Sequence, residues 1–225
     1  MAALSYHEQE DIENTKRIRG ILKELPPFCT PFCADFFRGI EPRTSSRTRI
    51  AYAYDLKTFF DFLKQANPEL KTKELRDFPL SILDEIKLMD LEEYMEYLKC
   101  YSTEKREDLM NTERGIMRKV STVKSFYNYF YRTERIQNNP ASLLQLPKIH
   151  EKEIIRLDVD EVARFLDEVE DGECLTEKQK AYHAKTKLRD LAMMTLLLGT
   201  GLRVSECVGL NINDVDFRNG GLRIH

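Results

Sequence analysis

The chain has no apolar run approaching the roughly 20 residues that a helix needs to cross a bilayer, so no stretch of it reads as a membrane span. Its five cysteines, Cys29, Cys33, Cys100, Cys174 and Cys207, are odd in number and scattered, which argues against a disulfide framework. Together with the polar opening MAALSYHEQEDIENTKRIRG, they point to reduced thiols in a cytoplasmic setting. Cys29 and Cys33 make a lone C-x-x-x-C, but no second Cys or His pair completes it at ligand spacing, so no metal is expected. The turn Gly199-Thr200-Gly201 is not followed by Gly-Lys-Ser/Thr, which excludes a P-loop. Internal repeats and low-complexity tracts are also lacking. Nor is there a surplus of positive charge: the formal net charge is −3, so the whole-chain balance does not advertise a nucleic-acid binder.

What is present fits a soluble globular protein of two compact units: 225 residues, 42% hydrophobic and 32% charged. The charge is uneven. Arg114, Arg118, Lys119, Lys124, Arg132 and Arg135 outnumber Glu113 and Glu134 in one segment, whereas Asp and Glu dominate residues 74–96. A local basic face is therefore compatible with the acidic total.

The hydrophobic spacing is mostly helical. A polar helix, IENTKRIRGILKEL, is broken by Pro26-Pro27, and the short apolar piece FCADFFRGI follows. From Ser45, Tyr52, Leu56, Phe59, Phe60 and Leu63 recur on one helical face until Pro68. LEEYMEYLKCY forms another amphipathic segment. In RGIMRKVSTVKSFYNYFYR, Ile116, Val120, Val123, Phe126, Tyr127 and Phe130 form the core-facing stripe. The other side carries Arg114, Arg118, Ser121 and Ser125, a basic and small surface suited to a phosphate backbone and a groove. For one such helix taken alone, a solvated face is the simpler account. NNPASLLQLPKIHEKE, with Pro140 and Pro147, reads as a linker. Beyond it, Asp158 and Glu161 make a capping-box start, with Val162, Phe165, Leu166 and Val169 on one face. A charged loop, GECLTEKQKAYHAKTK, then precedes LRDLAMMTLLLG, which is apolar nearly all round, as a helix buried in a domain centre is. FRNGGLRIH carries a turn signal and a nascent strand.

One arginine stands out in LLLGTGLRVSECVGL. Arg203 follows the Gly-Thr-Gly turn and opens a new helix that Thr200 is placed to cap. A cation at that end of a helix is disfavoured unless an anion is also bound. Glu206, three residues on, can orient the guanidinium, whose planar fork suits two phosphate oxygens. A plain Arg203–Glu206 surface pair accounts for the same residues equally well.

TGLRVSECVGLNINDVDF resembles the first catalytic box of tyrosine recombinases, where the leading active-site arginine is followed by Ser-Glu, a Leu and an Asp-Val-Asp run. RTRIAYAYDLKTFFDFL is similar to the opening of that family's core-binding domain, RKVSTVKSFYNYFYRTERIQNNPASLLQLPK to its closing helix and exit linker, and LDVDEVARFL to the start of its catalytic domain. The resemblance runs from about residue 28 onward; the polar amino-terminal helix and the loop before LRDLAMM resemble the longer Xer-like enzymes, with integrases of mobile elements as the rival within the family. It implies a mainly α fold: a polar amino-terminal helix over 1–27, a helical SAM-like core-binding domain over 28–137, a linker over 138–153, and an incomplete catalytic domain over 154–225, mostly α with the start of a small β-hairpin.

The implied site residues are Arg203 as catalytic, Glu206 in support, and a DNA-contacting set of Arg47, Arg49, Lys57, Arg114, Arg118, Lys119, Ser121, Thr122, Lys124 and Ser125. In the family a lysine, a His-x-x-Arg pair, a further His or Trp and the nucleophilic tyrosine follow this box. All ten tyrosines here precede Arg203, and His225 matches none of those motifs. The expectation is thus a DNA-binding fragment of a site-specific recombinase, inactive alone. Its partners would be a double-stranded recombination site and recombinase protomers, tetrameric in the synapse of the full-length enzyme. No membrane, metal or small-molecule cofactor is implied. A non-catalytic regulator or decoy, and a plain helical scaffold, are the competing classes.

Overall fold

The computed structural model describes residues 4–23, 30–103, 106–150, 153 and 155–224, so Cys29, His225 and the Pro26-Pro27 break lie outside it. The fold is mainly α with two small two-stranded sheets. By contacts the chain divides into Glu10–Glu151 and a second unit of Met1–Gln9 with Lys152–His225.

In the first unit, the part of α1 (Tyr6–Lys23) from Glu10 onward buries Ile18 against the core, and its Asp11 accepts a hydrogen bond from Ser46 at 2.7 Å. Helix α2 (Cys33–Ile40) follows, and Cys33 is buried beside Thr30. Ser45 starts α3 (Ser46–Ala66) by accepting from the Thr48 amide at 3.2 Å, an N-cap that satisfies one of the helix's orphan donors. A short turn, α4 (Ile82–Glu85), leads to α5 (Leu88–Tyr97), and α6 (Glu113–Arg132) is capped by Thr112. Every residue of the α6 apolar stripe is buried, as are Leu56, Phe59, Phe60 and Leu63 of α3. Their meeting point is aromatic. The Phe126 ring lies 5.1 Å from Phe36, 5.9 Å from Phe60 and 5.0 Å from Phe130, in edge-to-face pairs that favour the ring quadrupoles.

Two features of this unit escaped the hydrophobic pattern. A hairpin, β1 (Cys100–Thr103) with β2 (Arg106–Met110), pairs Cys100 with Met110 and Tyr101 with Leu109. Its turn lacks the Asn-Gly or Asp-Gly signal of tight hairpins, and the register shifts between Tyr101 and Thr103. Second, the stretch expected as a linker is packed chain. Ala141 and Leu144 are buried, Asp84 accepts from the amides of Gln137 and Asn138, and Lys124 donates to the Leu144 carbonyl at 2.8 Å. Further on, His150 meets Glu113 through its amide at 2.9 Å and its ring Nδ1 at 2.7 Å. Residues 138–150 therefore run back along α6 as a strap, from its end towards its start.

In the second unit, α7 (Val159–Asp171) begins with the expected reciprocal cap: Glu161 donates its amide to Asp158 at 2.8 Å, and Asp158 donates its own to Glu161 at 2.9 Å. Gly172 ends it at φ 65°, a left-handed position that favours glycine. The charged segment after it is not a loop. Helix α8 (Glu177–Thr200) takes in most of it, because Gln179 returns to the Thr176 amide and the run is rich in Ala, Lys, Gln and Glu, all good helix formers. Nor is the apolar half of α8 buried: Leu188 is 77% and Leu198 40% exposed, and no residue of α8 is fully buried among the described residues. Helices α7 and α9 (Val204–Gly209) cover only part of its circumference. A final hairpin pairs β3 (Val215–Asp216) with β4 (Gly221–Leu222), its turn held by Asp216, which accepts from Arg218 and Asn219.

Candidate nucleic-acid interface and arginine box

Helix α6 presents Arg114, Arg118, Ser121 and Ser125 at four-, three- and four-residue spacing, hence on one face. Arg114 is exposed, and the two serines are half-buried. Arg118 leans toward α3, where its Nη1 lies 2.5 Å from Asp55 Oδ2, while half of its side chain remains exposed. Asp55 itself is fully buried. It also accepts from Lys119 Nζ at 3.2 Å and from the Thr122 hydroxyl at 2.9 Å. Three donors thus converge on one carboxylate, as a buried charge requires.

This geometry corrects part of the expected DNA-contacting set. Lys119 and Thr122 point inward to Asp55 and have little surface to offer. Arg49 is likewise enclosed and pairs with Glu41 at 2.9 Å. Lys124 is committed to the Leu144 carbonyl. Arg47 is 79% exposed and pairs with Glu10 at 3.3 Å, and Lys57 pairs with Asp61 at 2.7 Å, both on accessible surface. Helical periodicity alone could not separate these cases, because adjacent residues of α6 fall on faces that only the packing of α3 distinguishes. Asp55 went unremarked in the sequence. It had a readable signal: it stands three residues after Tyr52 and four before Phe59, an acid inside the apolar stripe.

In the second unit, α8 closes at Gly201 with φ 70°. Thr200 does not cap the helix beyond; it ends α8, donating to the Leu196 carbonyl and accepting from the Leu202 amide at 3.3 Å. Arg203 is itself the N-cap of α9, in extended conformation with φ −71° and ψ 149°, rather than a residue of its first turn. Glu206 grips it twice. Oε2 accepts from the Arg203 amide at 2.8 Å, and Oε1 from Nη1 at 2.7 Å. Those hydrogen bonds, from the backbone amide first and then from the guanidinium, hold the Glu206 carboxyl below the usual glutamate range. Arg203 keeps 82% of its side chain exposed. Helix α9 has only six residues, too few to carry the sizeable end charge that sequence reasoning attached to it. What poises Arg203 is Glu206.

Residues 155–225 match the Phage integrase family. Among curated proteins the chain is similar to the tyrosine recombinase XerC of Caldanaerobacter subterraneus subsp. tengcongensis, 33% identical over 199 residues, which is 85% of this chain and 50% of that protein. It is also similar to the XerC of Chlorobaculum tepidum, 33% identical across 80% of the chain and 51% of the relative. The tyrosine recombinase XerS of Streptococcus pyogenes serotype M2 is 32% identical across 80% and 58%. The chain belongs to the tyrosine recombinase family. It spans about half the length of the curated relatives it matches.

Proposed function

We propose that residues 1–225 are the duplex-gripping part and the first arginine of the catalytic clamp of an Xer-like site-specific recombinase. The observation that carries this is the extent of the likeness: a match over 85% of the chain is longer than either structural unit and so enters both, and the family match over residues 155–225 takes in the arginine box. The α6 face of Arg114, Arg118, Ser121 and Ser125 meets the phosphate backbone and groove, with Arg47 and Lys57 on accessible surface of the same unit. Arg203 holds the scissile phosphate through its two-pronged fork, and Glu206 fixes the fork's direction. The functional partners are a double-stranded recombination site and further recombinase protomers, assembled as a tetramer when strands are exchanged, in a cytoplasmic setting.

On this proposal Arg203 counts most as negative charge builds on the phosphate in the transition state, so its removal lowers the rate more than the affinity. Among the described residues, no helix is long and apolar enough to cross a membrane. The test is covalent trapping on a nicked duplex carrying the recombination site. Residues 1–225 should bind it without forming an adduct, because the family's attacking tyrosine follows the arginine box. In the protein read from the complete reading frame, Arg203→Ala and Arg203→Lys should both abolish most of the adduct while binding persists. An adduct formed by residues 1–225, or near-normal trapping by Arg203→Ala, overturns the assignment.

A further inference from the structure

We infer that the buried Asp55 is a positioning residue for DNA: it orients Arg118 so that the free edge of the guanidinium meets one backbone phosphate. The inference rests on the DNA-binding reading of the α6 face and names the device that sets that face's geometry. One carboxylate here serves two cations. Lys119 is enclosed, with 9% of its side chain exposed, and lies 3.2 Å from Asp55 Oδ1. It offsets the carboxylate charge inside the unit. Arg118 is the second cation, half-exposed, and its Nη1 is bound to Asp55 Oδ2. The positive charge left over is therefore displayed at the surface by Arg118, at a place the core of the unit determines.

A guanidinium suits this arrangement because its planar fork has more than one donating edge. One end stays on Asp55 while another faces outward. A free surface arginine loses rotamer freedom when it binds a phosphate; one already held at Nη1 loses less. Arg118 also sits between Arg114 and Ser121 on its own face, and the small serines leave room for a backbone to approach. Thr122 donates to the same Asp55 oxygen that Arg118 uses, which fixes the carboxylate from the α6 side.

The sign of one substitution separates orientation from bulk charge. Asp55→Asn makes the protein one charge more positive, so electrostatics alone strengthens DNA binding; loss of orientation weakens it. Binding of a mixed-sequence duplex of about 30 base pairs is measured by fluorescence anisotropy between about 50 and 200 mM salt, with thermal unfolding as the control for fold. Asp55→Asn should bind about tenfold more weakly than wild type despite the added charge, with a log-log salt slope shallower by about 0.9, one phosphate. Arg118→Lys leaves Asp55, Lys119 and the net charge untouched and decides the matter if Asp55→Asn does not fold. It should also bind about tenfold more weakly, because a single ammonium cannot replace the two-edged fork. If wild type shows no salt-dependent binding, the DNA reading falls and this inference with it. If wild type binds and Arg118→Lys is unchanged, or a folded Asp55→Asn binds more tightly, only the positioning role falls.

Discussion

Glu206 holds Arg203 at both ends of the residue, Oε2 on the backbone amide and Oε1 on the guanidinium. A single side chain thus starts α9 and aims the exposed cation that precedes it. The grip depends on charge. Because the folded Glu206 carboxyl titrates below its unfolded value of about 4.3, its stabilising contribution is present above that value and disappears as pH falls through the lower, folded one. NMR of the Arg203 side chain should therefore show an ordered Nε–H signal at neutral pH that averages out in that acidic window. In Glu206→Gln the loss should no longer follow pH, and a signal insensitive to both acid and substitution would refute the linkage.

Cavity formation at the aromatic core should be costly. Phe126→Ala removes the ring around which Phe36, Phe60 and Phe130 pack, and should destabilise the Glu10–Glu151 unit by about 3–5 kcal/mol in denaturant unfolding.

Crowding at the edge of that core, where Gly39 is exposed and Tyr129 half-buried, gives a second stability test. A methyl at Gly39 would collide with the Tyr129 ring, which itself packs edge-on against Phe36 and Phe130. Gly39→Ala should therefore cost about 1–3 kcal/mol, because the ring cannot swing away without disturbing its neighbours. Unchanged stability would mean that Tyr129 has an alternative position.

Neighbouring basic residues on α6 should fail in different ways. Lys119→Ala removes an enclosed partner of a buried carboxylate and should lower stability by about 3 kcal/mol. Exposed Arg114→Ala should change stability by no more than about 0.5 kcal/mol, yet flatten the salt dependence of DNA binding by about 0.9 in log-log slope. Equal unfolding midpoints for the two variants would contradict the inward placement of Lys119.

Limited proteolysis should distinguish the units. The exposed apolar half of α8 and the lack of fully buried residues along α7 and α8 give the second unit little protection, whereas the strap is bound to α6 at Leu144 and His150. The surviving fragment should include the strap and end near residue 150. Early cutting at residues 138–144 would show that the strap is not held in solution.

Much of this was written in one dimension. Ser45 and the Asp158–Glu161 pair announced helix starts because capping is local chemistry, decided within three residues. The α6 stripe and the arginine box were legible for the same reason: helical periodicity and a contiguous motif need no distant partner. The β1–β2 hairpin was not legible, since its turn carries no tight-turn signature, and the charged segment before Leu188 concealed a helix that its cap and composition favour. Which basic residues are available was settled only in three dimensions. Arg118 and Lys119 are adjacent in the chain and chemically alike, but Asp55, more than sixty residues earlier, draws one inside and leaves the other half in water. That choice comes from the crossing of α3 and α6, because a buried carboxylate must find its donors wherever packing places them.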